Sequence, residues 1–323
     1  MAPRETEYVH RAAPGLEGLA ADEALPRLLR AQREALEAVQ PAIDDISRLA
    51  GEIERYLSIP DTRLVYAGAG TSAMMALSDA LELAGTFGIP PARTPVLIAG
   101  GVSTLLEMKG HVEDDAEAAP RDVDRMKLGP EDLVLCVSAS GATPYTIAVA
   151  RAASSRGSRI AALVCTPGSE LAALADHVVL IATGPEMVAG STRLGAGTAQ
   201  KAALGMLSTL AATRLGHVYR GRMVNLTVDN AKLRDRAIGT IAALAGCDTA
   251  AATDALDAAG GEVKPAVVAA AIGETPSAAR ELLRDSRGRL GPILDGAAVN
   301  QTKGKTNMYP AGKKTASTRE TMS

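Results

Sequence analysis

The chain has 323 residues, 47% of them apolar, and a net charge of −3, so it can bury a large core but lacks the basic surplus of a nucleic-acid-binding domain. With no Trp, one Phe and six Tyr it also lacks the rings on which a single-strand platform stacks bases, and its core must be aliphatic. No run reaches the roughly 18 apolar residues of a membrane span, and the opening MAPRETEYVHRAAPG has no apolar stretch, which predicts that no signal peptide is present. Residues 20–57 repeat apolar positions at helical spacing, through Leu25, Leu28, Leu29, Leu36 and Val39 and then Ile43, Ile46, Leu49 and Ile53, with Pro41 separating two helices. Short apolar runs follow at 64–67, 96–99, 133–137, 160–165 and 178–182, with helical stretches between them. That alternation predicts an α/β fold with a doubly wound, mostly parallel sheet. A long helix is expected over 192–215. A helical region from Asn230 to Leu290 is broken at Gly246, Gly260–Gly261, Gly273 and Pro276. The predicted divisions are therefore 1–57 (helical), 58–229 (the sheet domain), 230–296 (a small helical subdomain) and 297–323 (a polar, basic, disordered tail).

Cys136, Cys165 and Cys247 are odd in number and fit no zinc spacing, which predicts reduced structural thiols in a cytosolic protein. Two loops carry most of the chemistry. Gly68-Ala69-Gly70-Thr71-Ser72 directly follows the first strand. Its glycines allow a tight turn, the next helix presents unpaired N–H groups to an anion, and Thr71 and Ser72 add hydroxyls. Ala73 stands at the last glycine position of a dinucleotide fingerprint, and no acidic residue ends the next strand to hold a ribose, so a dinucleotide site is weakly supported. A tight turn with no ligand would have the same sequence. Ser138-Ala139-Ser140-Gly141-Ala142-Thr143-Pro144 follows the third strand, and a capped helix start does not explain so dense a set of hydroxyls. Two such loops on one parallel sheet point to a phosphate at its carboxyl edge. With no Walker lysine nearby, a sugar phosphate fits better than a nucleotide. Glu82 lies one helix beyond the first loop and Glu113 lies after the second strand. Near a phosphate they would supply an acid and a base, although most helix and loop carboxylates are simply solvated.

These residues resemble a known family. The runs LVYAGAGTS, TFGIPP, LIAGG, EDDAEA, SASG-TPY, CTPGS, GPEMVAGSTRL, AGTAQK, MLST and NAKLRDRAI are similar in order and spacing to the N-acetylmuramic acid 6-phosphate etherases, from about Thr6 to about Leu290. The resemblance implies an αβα sandwich of the sugar-isomerase (SIS) type and a homodimer with sites near the subunit interface. It also implies cleavage of the lactyl ether of N-acetylmuramic acid 6-phosphate to N-acetylglucosamine 6-phosphate and D-lactate. Ring opening makes C1 an aldehyde that acidifies the C2 proton. A base removes that proton, an acid protonates the departing lactate oxygen, and water adds at C3, with no metal or redox cofactor. By the same resemblance Glu82 is the acid and Glu113 the base. Gly70, Thr71, Ser72, Ser138, Ser140, Gly141, Thr143, Glu186 and Ser191 are the expected substrate and phosphate ligands.

The sequence departs from the family at three cationic positions, where Met74, Ala142 and Gly195 stand in place of Arg, Arg and Lys. It also carries Leu83-Ala84-Gly85 where the family has Cys-Pro-Pro after the first glutamate, and Lys109-Gly110-His111 before the second. A substrate with both a phosphate and a carboxylate would bind more weakly without those cations unless Lys109, His111 or Arg193 compensates. A less anionic sugar phosphate, a non-catalytic sugar-phosphate sensor and an aldose–ketose isomerase are therefore the alternative readings. The GPE–GSTR block gives the isomerase no support, and retention of both glutamates favours the enzyme over the sensor.

Overall fold

The computed structural model describes residues 5–107 and 110–296, so the 297–323 tail expected to be disordered lies outside the described residues. Helices α1 (Ala21–Glu37) and α2 (Ile43–Ser58) form the N-terminal layer, and Pro41 lies in the 3₁₀ turn Gln40–Ala42 between them. A proline lacks the N–H that would carry one helix into the next. Helix α2 buries Ile46, Leu49, Ala50 and Ile53 at three- and four-residue spacing. Helix α1 behaves differently, with Leu25, Leu29 and Leu36 all exposed.

The five apolar runs form β1 (Arg63–Gly68), β2 (Val96–Ile98), β3 (Asp132–Ser138), β4 (Arg159–Val164) and β5 (His177–Leu180). Every pairing is parallel and the order is β2-β1-β3-β4-β5. The crossovers are α3 (Gly70–Phe87), α4 (Ala118–Met126), α5 (Pro144–Ser155) and the short α6 (Glu170–Leu174). Helix α7 (Gly195–Arg214) follows β5, and the small hairpin β6 (Val218–Tyr219) and β7 (Arg222–Met223) comes after it.

Side-chain alternation along the strands separates two cores. Tyr66, Leu135 and Ala161 are in register and pack toward α2, α3 and α7. Ala67, Cys136 and Ala162, one residue further on, pack toward α4 and α5. Burial on both faces explains why the strands read as continuous apolar runs. Helix α7 buries Ala196, Gly197, Ala199, Ala203 and Ala211, small residues that let it pack against α1, α2 and α3.

The chain divides into two compact units, Met1–Ala237 and Ile238–Ser323. Helix α8 (Ala231–Ala245) runs through the division. In the second unit α10 (Val263–Ile272) packs on α9 (Thr249–Ala258) and α11 (Pro276–Asp285). Asp248 and Thr275 cap α9 and α11 by accepting the N–H groups of Ala251 and Ala278.

Candidate active site

The strand order reverses between β1 and β3, because the chain leaves β1 toward β2 on one side and returns to β3 on the other. In open parallel sheets the crevice beyond the carboxyl ends of two such strands is where ligands bind. Here the loops bordering that crevice are the two hydroxyl-rich segments.

In the β1 loop, Ala69 gives no side-chain cap to α3. The first N–H groups of the helix therefore have no internal partner. Thr71 lines the pocket, as does Ser72, whose hydroxyl donates to Gln200 Oε1 at 3.1 Å. Gln200, on α7, is buried and was not anticipated as a site residue, although it sits in the AGTAQK run. In the β3 loop the hydroxyls of Ser138 and Thr143 share a 3.0 Å hydrogen bond, and Ser138 Oγ accepts the Gly141 N–H at 3.1 Å. Ser140 Oγ accepts the Ala142 N–H at 3.2 Å. The serines thus shape the loop through their acceptor sites. Gly141 has φ +59°, and a Cβ there would meet Ser169 Cβ at 2.4 Å, so only glycine fits.

Glu113 closes the third side of the pocket from the 3₁₀ turn Gly110–Asp114. Its carboxylate lies over Gly70, where a Cβ would stand 2.5 Å from Glu113 Oε1. Burial raises the Glu113 carboxyl above the usual glutamate range, and the neighbouring Asp114 charge pushes in the same direction. Thr71, Ser72, Glu113, Ser138, Ser140 and Thr143 together line a cavity of about 420 Å³.

The other expected residues fall elsewhere. Glu82 is 69% exposed on α3, 3.9 Å from Lys201 Nζ, and does not line the pocket. From Gly70 it is about 18 Å along the helix axis, at 1.5 Å per residue. Ala84 and Gly85 stand where the resemblance expects Pro-Pro, so α3 runs unbroken to Phe87 and keeps Glu82 on its outer face. Within one chain the two glutamates do not converge. Glu186, expected as a ligand of substrate, is buried, and both its oxygens are engaged. They accept the N–H groups of Gly195 at 3.0 Å and Ala196 at 2.9 Å, capping α7. A Cβ on Gly195, where the resemblance expects lysine, would lie 3.1 Å from the same carboxylate. Ser191 does not line the pocket, but its neighbours Gly190 and Thr192 do.

No lysine or arginine is among the described residues that line the cavity, and Ala142 lines it where the resemblance expects arginine. His111 and Arg193 are exposed and outside the lining, while Lys109 lies outside the described residues. Thr6, Glu7, Asp114 and Thr192 complete the polar wall. Thr6 and Glu7 had no signal in the sequence beyond standing where the resemblance begins. Among the described residues no group of three His, Cys, Asp or Glu is placed to hold a metal ion.

Residues 102–210 match the SIS domain model, and residues 48–153 match the model of the glucokinase regulatory protein N-terminal SIS domain. The parallel sheet with hydroxyl-rich loops at its switch point, inside such a match, defines an SIS-domain protein. Among solved structures, a phosphoheptose isomerase from Francisella tularensis is 14% identical, with a TM-score of 0.47 over 60% of this chain and 100% of that chain. Curated relatives narrow the class. An N-acetylmuramic acid 6-phosphate etherase of Rubrobacter xylanophilus is 47% identical over 66% of this chain and 71% of its own. One of Deinococcus radiodurans is 42% identical over 84% and 88%. The chain belongs to the N-acetylmuramic acid 6-phosphate etherase family.

Proposed function

We propose that this chain is a carbon–oxygen lyase that cleaves the lactyl ether of N-acetylmuramic acid 6-phosphate. The observation that carries the reading is the half-buried Glu113 carboxylate set over Gly70, between two phosphate-type loops, in a chain of the etherase family. Thr71, Ser72, Ser138, Ser140 and Thr143 take the phosphate oxygens, together with the unpaired N–H groups of α3. Ring opening gives an aldehyde at C1. Glu113 takes the proton from C2, the electron pair forms the C2–C3 double bond, and the C3–O bond to lactate breaks. The lactate oxygen leaves with a proton, and water then adds to C3, its second proton returning to C2.

Glu82 is the proton donor in this reading, and it acts across a homodimer. Two features support that assembly. A groove of about 660 Å³ lined by Ile43, Ile46, Met206 and Leu210 runs between α2 and α7, and α1 leaves Leu25, Leu29 and Leu36 exposed. Unpaired apolar faces of this kind fit a second copy. Glu82, exposed on the adjacent α3, then stands at the subunit boundary. The enzyme is cytoplasmic in this reading. Burial pushes the Cys136 and Cys165 thiols up to about 12, which makes them inert packing residues. No helix among the described residues is long and apolar enough to cross a membrane.

The test is incubation with N-acetylmuramic acid 6-phosphate, assaying released D-lactate. Release that Glu113→Ala abolishes supports the reading. A parent chain that binds sugar phosphates but frees no lactate would overturn it in favour of a sensor.

A further inference from the structure

Residues 5–10 form a strap along one wall of the cavity. The Gly190 N–H donates to Thr6 O at 2.9 Å and the His10 N–H to Glu186 O at 3.0 Å, with Val9 and Glu186 forming a parallel bridge. Glu186 is itself fixed by its cap on α7. At the other end, His10 Nε2 lies 3.1 Å from Glu34 Oε2 and Arg11 donates to Glu34 Oε1 at 2.9 Å, which ties the strap to α1. The segment is thus held to both the α7 entry and α1.

Held in this way, Thr6 and Glu7 line the cavity. Thr6 is 1% exposed, and its Oγ1 has no hydrogen-bond partner. Among the described residues with such unpaired buried side-chain atoms, Thr6 alone lines this cavity. Buried hydroxyls are ordinarily paired, and Thr6 Oγ1 has almost no accessible surface where it stands, so a turn of this side chain toward the cavity it lines would give the hydroxyl a ligand or water partner. Glu7 is exposed, and its Oε2 would lie 2.9 Å from a Cβ on Gly190. An ionised carboxylate only accepts hydrogen bonds. It therefore suits a sugar hydroxyl or an amide N–H and repels a phosphate or carboxylate.

We propose that Thr6 and Glu7 are substrate-binding residues that hold the hydroxyl- or amide-bearing part of a sugar phosphate and make no contact with its phosphate. The identity of the sugar rests on the etherase reading; the contacts do not.

The test is calorimetric titration of the parent, Thr6→Val and Glu7→Gln with N-acetylglucosamine 6-phosphate and, separately, with inorganic phosphate. Thr6→Val keeps the shape and removes the hydroxyl, and Glu7→Gln changes an exposed side chain, so both variants fold. Affinity for the sugar phosphate should fall about three- to tenfold in Thr6→Val and about tenfold in Glu7→Gln, the net worth of one hydrogen bond. Affinity for inorganic phosphate should be unchanged in Thr6→Val, and unchanged or tighter in Glu7→Gln. In lactate release the same variants should raise KM with little change in kcat. Unaltered sugar-phosphate affinity in both variants overturns the proposal. So does an equal loss for both ligands, which would make the strap a support for the loops. A parent that binds the sugar phosphate but frees no lactate ends the etherase reading and leaves the binding comparison standing.

Discussion

At Gly70 the backbone has φ +52° and the Glu113 carboxylate occupies the space a side chain would need. Both features favour glycine, since the left-handed region costs an ordinary residue about 1–2 kcal/mol. The close approach takes the carboxylate partly out of water, and burial is the larger cause of its raised pKa, with Asp114 the smaller. A base must be ionised to take the C2 proton, so activity is lost as pH falls through the Glu113 pKa. Because that pKa is raised, the acid limb of kcat/KM should lie above the ordinary glutamate value. Asp114→Asn removes the like charge and should move the limb to lower pH, without abolishing it, since burial persists. A pH–rate profile of the two proteins checks this, and an unmoved limb would detach it from Glu113.

Between elements, the contact of α3 with β1 and α7 holds a buried carboxylate. Asp79 on α3 accepts from Tyr66 OH at 2.8 Å and from Ser208 Oγ at 2.9 Å, and it is 4% exposed. Burial raises its pKa in the fold, outweighing the hydrogen bonds that lower it and the attraction of Lys201. A carboxyl raised on folding binds its proton more tightly in the native state than in the unfolded one. Its contribution to stability is therefore greatest below the unfolded pKa and declines as pH rises through the folded pKa. Asp79→Asn removes the buried charge, while its amide donates to Ser208 Oγ and its carbonyl still accepts from Tyr66. Its stability relative to the parent should rise from acid to neutral pH, measured as Tm at each pH. A constant Tm difference across that range would show that Asp79 does not titrate between the two states.

For the whole molecule, the separation of Glu82 from the pocket of its own chain makes the proposed assembly testable through catalysis. If Glu82 serves the site of a second copy, a mixed dimer of Glu82→Ala and Glu113→Ala carries one site with both glutamates intact and one with neither. Mixing the two inactive variants under conditions that exchange subunits should then restore lactate release. If both glutamates act within one chain, every site in the mixture lacks one of them and no activity returns. Light scattering on the same samples reports whether dimers form at all.

The sequence by itself determined what depends on near neighbours along the chain. Five strands declared themselves through continuous apolar runs because a sheet covered on both faces buries most of its central strand residues. Pro41 and the Gly and Pro breaks after Asn230 marked helix ends because backbone geometry is local. Both hydroxyl loops were legible for the same reason: each is one strand-to-helix turn. Tertiary structure decided the rest. The order β2-β1-β3-β4-β5 brings residues 70, 113 and 138 to one crevice, and no spacing in the chain encodes that order. The resemblance makes Glu186 a ligand of substrate, whereas in the fold its two oxygens accept N–H groups at the N-terminus of α7, which need an acceptor. Glu82 was legible as a carboxylate but not in its direction, because an unbroken α3 carries it along the helix and onto the outer face. Thr6 and Glu7 reach the cavity only through hydrogen bonds to a segment some 180 residues away, roughly the separation of Thr6 and Gly190 in the chain. Such contacts arise from packing a whole layer, and a local pattern carries no trace of them.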